Sequence, residues 1–266
     1  MCFPRFAFLA LFALIAHFAS AQQTATTSTQ GVAVLQESLA ALAPSTPIAD
    51  VTLSGSARRI AGSDDESGSV VVKALAGTGA RFDLTLPSGS RSELRNTSSA
   101  QPAGSWSGPD GISHSISNHN LFTDPGWFPA FTLSSLLSAP NAVITYVGPE
   151  TRDGQSVIHI AASQQFTQLP AEIAPLMQHL TQTDIFLDPN TNLPVAIAFS
   201  THPDNNALLD IPIELRFSDY RPTGGAQIAF HVQKFINNSL ALDLQFSSAT
   251  LNSGLPPATF SVGAGL

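Results

Sequence analysis

Cysteine is almost absent from this 266-residue chain, in which Cys2 is the only one. Cys2 precedes an apolar run typical of a secretory signal, so it is not the lipidated cysteine of a bacterial lipoprotein, which follows such a run. If that signal is cleaved, the mature chain has no disulfides and no thiolate metal ligands. We therefore expect a folded part that depends on its hydrophobic core for stability.

Basic residues are also scarce, with 11 Lys and Arg against 19 Asp and Glu, for a net charge of −8. The few cations are scattered, whereas nucleic-acid binding needs a clustered basic surface. An acidic surface is not attracted to anionic membranes. We therefore expect no nucleic-acid partner and no electrostatic membrane binding.

The N-terminus has the pattern of an export signal. Arg5 gives a short positive region, residues 6–18 are apolar apart from His17, and Ala19-Ser20-Ala21 is a small-x-small cleavage site. This pattern predicts a signal peptide over residues 1–21, a disordered polar linker over 22–30 and a single domain over 31–266. The mature protein is expected in the periplasm or outside the cell, with no transmembrane segment.

The C-terminal third contains the strongest structural signal, a series of runs with period-two alternation between Asp184 and Thr250. Side chains of a strand point alternately to opposite faces, so each run predicts one apolar and one polar face. Leu242 and Leu244 share the apolar phase, and both are expected to be buried. The apolar positions are Val195, Ile197, Phe199, Ile211, Ile213, Leu215, Phe217, Ile228, Phe230, Val232, Leu240, Leu242, Leu244 and Phe246.

Helical spacing of apolar residues occurs in three places. It predicts an amphipathic helix over 32–42, a short helix around Leu133–Leu137, and a helix over 169–180 that contains Pro175. The fold class expected from these signals is α+β and mainly β. It is a single curved antiparallel sheet, a half-open barrel, with an N-terminal helix and two short helices covering its concave face.

No stretch of the sequence carries a recognisable catalytic or metal-binding motif. The segment 104–108 resembles a nucleophile elbow but has tryptophan where serine is required. His114 and His119, with Asp110 and Asp124 nearby, are metal-ligand types whose spacing fits no known zinc pattern. We therefore expect no catalytic residues, no metal site and no cofactor, and a protein that is not an enzyme.

Aromatic and apolar residues in the middle of the chain have two interpretations. They either fill the core under a long loop or line an apolar cavity beneath the helices. In the second interpretation the helix over 169–180 is a lid over the open mouth of the sheet, weakened in its middle by Pro175. The candidate ligand-binding residues are Trp106, Trp127, Phe128, Phe131, Leu136, Leu169, Ile173, Leu176 and Met177.

The order of elements, together with the local sequence FLDPNTNLPVAIAF at residues 186–199, resembles the LolA/LolB-like fold of periplasmic lipoprotein carriers. The resemblance implies a half-open antiparallel barrel with helices over a cavity that receives acyl chains. It also implies an arginine in that cavity. The candidates are Arg58, Arg81, Arg91 and Arg95.

Three functional hypotheses follow. The first is a non-catalytic binding protein for a lipid or other apolar ligand, such as a lipoprotein or lipid carrier, whose partner is an apolar molecule or a lipoprotein acyl chain. The second is an envelope protein-interaction or stress-sensing module with a protein partner. The third is an enzyme. The first predicts a continuous apolar cavity, the second a closed core with an exposed apolar patch, and the third a polar cleft with converging acid, base and nucleophile.

Overall fold

The computed structural model describes residues 27–43, 47–97 and 102–262. The predicted signal peptide and the first part of the predicted linker lie outside these residues. The first half of the described chain has two helices and six strands: α1 (Thr29–Leu42), β1 (Asp50–Ala61), β2 (Asp64–Leu75), β3 (Gly79–Leu86), β4 (Gly89–Asn96), β5 (Ala103–Ser107), β6 (Ser113–Ser115) and α2 (Pro129–Ser138).

The second half has one short helix and seven strands. A 3₁₀ turn at Asn118–Leu121 precedes α2, and another at Pro257–Phe260 follows the last strand. The elements are β7 (Ala142–Arg152), β8 (Gln155–Gln164), α3 (Ala174–His179), β9 (Thr183–Leu187), β10 (Pro194–Thr201), β11 (Ile211–Thr223), β12 (Ala226–Ile236) and β13 (Ser239–Leu251).

Within the described residues, the strands form one antiparallel sheet in the order β6-β5-β4-β3-β2-β1-β13-β12-β11-β10-β9-β8-β7. Neighbours in this order are neighbours in sequence, except where β1 pairs with β13 in the middle of the sheet. The two edge strands, β6 and β7, do not pair with each other, so the sheet stays open. The predicted class, mainly β with one antiparallel sheet that is not closed into a barrel, is confirmed.

The predicted alternation is confirmed in β11 and β12, whereas in β10 a bulge next to Val195 places that residue with Phe186 and Ala196 and not with Ile197. Ile213, Leu215 and Phe217 of β11 are buried on one face, as are Ile228, Phe230 and Val232 of β12. In β13 the prediction is half right, because Leu244 is fully buried whereas Leu242 is half-buried. The register between β12 and β13 shifts near Leu242, and such a bulge disturbs the alternation of the strand.

Helices α1 and α2 pack on the apolar face of the sheet. Leu35 and Leu42 of α1 and Leu133 of α2 belong to the same buried cluster as the inward residues of β1, β2, β12 and β13. Helix α1 begins at Thr29, inside the predicted linker, because the hydroxyl of Ser28 accepts a hydrogen bond from Gly31 N at 3.2 Å and caps the helix.

The lid hypothesis for residues 169–180 is wrong about the position of the helix. Helix α3 covers only Ala174–His179, because Pro175 is tolerated only in a first turn. Gln178 of α3 donates a hydrogen bond to the hydroxyl of Ser163. Ser163 alternates along β8 with Ile160 and Ala162, which face the core. Helix α3 therefore lies on the opposite face of the sheet from α1 and α2.

The described helices are short. Helix α1, at 14 residues, is the longest of them. No helix in the ranges that the structure describes has the length and apolar character needed to cross a membrane.

Candidate functional site

A cavity of about 750 Å³ lies between the helices and the N-terminal half of the sheet. Its walls are helix α2, the C-terminal end of α1, the turn between β2 and β3, and the end of β4. The volume is in the range of small-molecule binding sites, which is roughly 300–1,000 Å³. It is larger than three other cavities among the described residues, which measure about 20, 220 and 300 Å³.

One wall of the cavity is aromatic. Trp127, Phe128 and Phe131 line it, and the Phe128 and Phe131 rings have centroids 5.9 Å apart. Phe82, from β3, stacks on Trp127 with centroids 4.9 Å apart and an interplanar angle of 16°. Stacking on a ring anchored in the sheet holds the indole in place, so the Trp127 part of this wall is a fixed apolar surface.

Part of the cavity mouth is small and polar. Ser134, Ser135 and Ser138 of α2 line the cavity and are exposed. They lie on the face of α2 that turns away from buried Leu133. Serine side chains leave the entrance wide, so a ligand can reach the aromatic wall without a large rearrangement.

The segment that presents the aromatic wall is fixed to α2 by Asp124. The Asp124 carboxylate accepts hydrogen bonds from Gly126 N at 2.7 Å and from the Thr132 hydroxyl at 2.9 Å. Desolvation in the cavity wall raises the pKa of Asp124 above its ordinary value, although these two hydrogen bonds oppose the shift. Gly126 has φ of +75°, and a β-carbon there would lie 2.7 Å from Leu215 Cδ1, so the turn requires glycine.

The polar end of the cavity is formed by Arg95. Its Nε donates to Glu93 at 2.7 Å, and its Nη1 donates to the carbonyl of Asn120 at 2.7 Å. The Arg95 side chain is only 12% exposed, so its charge is held by these partners and is not free in solvent. Arg95 therefore stiffens the loop around the 3₁₀ turn and supplies a cation at one end of the apolar space.

A half-buried charge network continues behind this arginine. Desolvation would raise the pKa of Glu93, but the positive charges of Arg95 and Lys234 outweigh it and the pKa is lowered. Desolvation lowers the pKa of Lys234, with Glu93 opposing that shift. The Lys234 ammonium also lies 5.6 Å from the centroid of the Trp127 ring, close enough for a cation–π contact.

The structure brings together three of the nine predicted site residues. Trp127, Phe128 and Phe131 line the cavity. The other six do not line it. Leu136 packs on the core, Trp106 is 45% exposed on β5, and four residues lie in or before α3, on the other face of the sheet: Leu169, Ile173, Leu176 and Met177.

The four candidate arginines differ in their partners and in whether they line the cavity. Arg58 pairs with Asp65 at an exposed position, and Arg81 pairs with Asp83. Arg91 donates to the carbonyl of Gly89. Arg95 is the one of the four that lines the cavity.

Sequence reasoning missed the part of the cavity made by small residues. Ala74, Ala76, Gly77, Gly79 and Ala80, at the turn between β2 and β3, line it, as do the serines of α2. Small residues carry no signal for a ligand site in a single sequence. Here their small side chains leave the space between the β2–β3 turn and α2 open.

The described chain is thus an open antiparallel sheet with two helices over its apolar face and a cavity between the helices and the sheet, which is the LolA-like arrangement. By sequence, no protein family and no curated protein matches this chain.

Solved structures with the same fold agree with this assignment. A putative outer membrane lipoprotein-sorting protein domain from Vibrio parahaemolyticus is 15% identical, with a TM-score of 0.55 over 87% of this chain and 96% of that one. A DUF1329 family protein from Desulfovibrio piger is 10% identical, with a TM-score of 0.56 over 89% and 98%. A LolA superfamily protein from Nitrosomonas europaea is 10% identical, with a TM-score of 0.53 over 86% and 96%. At these identities the likeness establishes the fold.

Proposed function

We propose that this protein is a non-catalytic binding protein for a lipid or another ligand with an acyl chain. The observation that carries the proposal is the cavity of about 750 Å³ with its aromatic wall of Trp127, Phe128 and Phe131. A closed core, which the interaction-module hypothesis predicts, would leave no such space. The likeness of the fold to a lipoprotein-sorting domain supports the same conclusion.

The proposed binding mode places the acyl chain along the aromatic wall and the headgroup at the polar end. Burying a chain contributes about 0.8 kcal/mol for each methylene, part of which is offset by the cost of association. Arg95, Thr97 and Asp124 line the polar end. The guanidinium of Arg95 favours a headgroup that is anionic or rich in hydrogen-bond acceptors.

The same aromatic residues also adjoin a second, much smaller void of about 20 Å³, lined by Leu42, Val51 and Leu53 on its far side. Phe128 and Phe131 line both spaces. A rotation of either ring would join them, so the cavity can lengthen toward the centre of the sheet when a longer chain binds.

We propose that the protein is exported and acts in the cell envelope or outside the cell. The cleavage pattern at Ala19-Ser20-Ala21 predicts a mature N-terminus at Gln22. Intact-mass measurement of protein purified from the envelope or the medium is expected to show loss of residues 1–21. Recovery of the protein with these residues still attached would contradict the prediction.

Filling the cavity is expected to abolish ligand binding. Ser135→Trp introduces a large side chain at an exposed position that lines the cavity mouth, so the fold is kept while the space is lost. Titration with a fluorescent fatty-acid analogue should give saturable binding by the wild type. The variant should bind at least tenfold more weakly, corresponding to a loss of about 1.4 kcal/mol or more.

Two matched controls separate the cavity from the rest of the surface. Ser67→Trp introduces the same side chain at an exposed position of β2 that does not line the cavity, and Ile173→Glu adds a charge near α3. Both variants are expected to bind as the wild type does. Absence of saturable binding by the wild type would remove the acyl-cavity proposal and leave the interaction module as the better hypothesis.

A further inference from the structure

A second cluster of polar side chains lies outside the cavity, where α3, β10 and β11 meet. His179 is the last residue of α3, His202 follows β10, and Asp210 precedes β11. Nε2 of His179 lies 2.9 Å from Asp210 Oδ1, and Nε2 of His202 lies 3.0 Å from the same oxygen. The three ligand-type atoms all lie within 4.8 Å of one another.

We propose that His179, His202 and Asp210 form a binding site for a divalent transition-metal ion, with zinc as the best fit. Two imidazoles and one carboxylate match the donors that zinc takes in sites that keep an open fourth position. Imidazole favours zinc over magnesium or calcium, which prefer oxygen donors. This proposal does not depend on the ligand-binding cavity.

Two of the three donor separations are already close to those of a zinc site, and the third, between the two imidazoles, is within 4.8 Å. Zinc bonds of about 2.0–2.1 Å in a tetrahedral site place the donor atoms about 3.3 Å apart. The two distances to Asp210 Oδ1 differ from this by a few tenths of an ångström. The His179 side chain is 42% exposed, so its ring can rotate to complete the site.

The convergence of two rings on one oxygen is unusual among the His–carboxylate contacts of this chain. His231 contacts Asp243 at 2.7 Å, and no second imidazole contacts that carboxylate in the described residues. The His202 ring, by contrast, is 1% exposed, and its Nδ1 has no hydrogen-bond partner among the described residues. Buried polar atoms without a partner are rare, and in the described residues this buried ring makes its polar contact through Nε2, to Asp210.

The site is accessible and well supported. A surface cleft of about 220 Å³ is lined by both His179 and Asp210, which gives an ion a path of entry. Asn120 holds the backbone of His202 through hydrogen bonds to its N–H and its carbonyl, at 2.8 Å each. This anchoring fixes the most buried ligand, as second-shell contacts do in metal sites.

The sequence gives no sign of this site, because the ligands are 23 and 8 residues apart and match no metal motif. Of the pair considered from sequence, His114 lies elsewhere, whereas His119 lies beside the site, with its ring centroid 5.9 Å from that of His202. His114 stacks on Trp106 with ring centroids 4.4 Å apart, and His119 Nε2 contacts the carbonyl of Pro203 at 3.2 Å.

The test is a titration of untagged protein, stripped of metals by a chelator, with Zn²⁺ by calorimetry and with Co²⁺ by visible absorption. We expect one equivalent of Zn²⁺ to bind and Co²⁺ to give the intense bands of a tetrahedral site. His179→Gln and Asp210→Asn change half-exposed side chains, so the fold should be kept. Each is expected to weaken binding by about 100-fold or more, since even loss of a second-shell partner costs roughly 10–100-fold.

The matched control is His231→Gln, which removes an imidazole from a His–Asp pair without a second histidine. It should bind Zn²⁺ as the wild type does. Absence of stoichiometric binding by the wild type, or equal weakening by His231→Gln and His179→Gln, would overturn the proposal. Zn²⁺ should also raise the melting temperature of the wild type and leave that of Asp210→Asn unchanged, because only an ion bound to the folded state stabilises it.

Discussion

Leu244→Ala is expected to lower the free energy of unfolding by about 3–4 kcal/mol, in the range for large-to-small changes in a core. Leu244 lies in β13, which pairs with β1 on one side and β12 on the other, and its side chain is completely buried. Neighbours on both sides are held by strand pairing, so they cannot collapse into the space that the change creates. Urea unfolding followed by circular dichroism measures the loss.

Two substitutions at neighbouring positions of β13 serve as controls for the expected loss of unfolding free energy. Gln245→Ala alters the next residue of β13, which points to the opposite, exposed face, and should cost less than about 0.5 kcal/mol. Leu242→Ala, at the half-buried position near the bulge, should fall between the two. Equal losses for Leu244→Ala and Gln245→Ala would mean that β13 is buried on both faces.

Asp50→Asn is expected to be the second most costly change, at about 3 kcal/mol. The Asp50 carboxylate is buried at the start of β1. It accepts hydrogen bonds from the backbone N–H groups of Ser253, Gly254 and Leu255, at 2.9, 2.8 and 3.3 Å, and from the Ser253 hydroxyl at 2.8 Å. In Asp50→Asn the amide NH₂ group replaces one carboxylate oxygen and faces N–H groups that are themselves donors. Each buried group left without a hydrogen-bond partner costs about 1–3 kcal/mol.

The effect of Asp50 depends on pH in a defined direction. Burial alone would raise the pKa of Asp50, but the hydrogen bonds from Ser253, Gly254 and Leu255 outweigh it and the pKa is lowered. A carboxylate with a lowered pKa in the folded state stabilises the fold above its unfolded pKa of about 3.9. That stabilisation is lost as the pH falls through the folded pKa.

Urea midpoints at pH 7 and pH 3 provide the measurement. The difference between wild type and Asp50→Asn should be large at pH 7 and should shrink at pH 3. Asp65→Asn is the control, because Asp65 pairs with Arg58 at an exposed position and such pairs contribute little. A difference between wild type and Asp50→Asn that stayed the same at both pH values would show that the carboxylate charge is not what matters.

The sheet could be predicted from the sequence because one physical rule decides it. Alternation with period two assigns each side chain of β11 and β12 to a face, and the burial of Ile213, Leu215 and Val232 follows it. The turns could be predicted for a similar reason. Asn237 and Asn238 both have positive φ, 49° and 61°, as a tight hairpin turn requires, and asparagine tolerates this conformation.

The position of α3 could not be predicted, because helical spacing says which residues share a face but not which surface that face meets. Leu169, Ile173, Leu176 and Met177 have the spacing of a buried helix, yet Ile173 is 46% exposed. Pro175 lies in the first turn of the helix, so the helix does not extend back over the preceding residues. The remaining turn and a half is too short to have a defined apolar side.

The candidate cavity was predicted in part, for a related reason. Large aromatic residues such as Trp127 and Phe131 are visible in a sequence, whereas the space beside them depends on how far apart α2 and the sheet are held. Ala76, Gly77 and Ser135 contribute to that space because their side chains are small or absent. Such a contribution is apparent only once the backbone is known.

The pairing of the first strand with the last also has a consequence for how the chain folds. All other strand neighbours are also neighbours in sequence and can form by closing short loops, whereas β1 pairs Val51 with Leu251. Contacts of such long range form slowly, although they cost little in final stability. Until β13 is available, β1 and β12 both have an unpaired edge and the apolar face is incomplete. A chain that is threaded through a translocon N-terminus first would therefore remain unfolded until almost all of it has crossed.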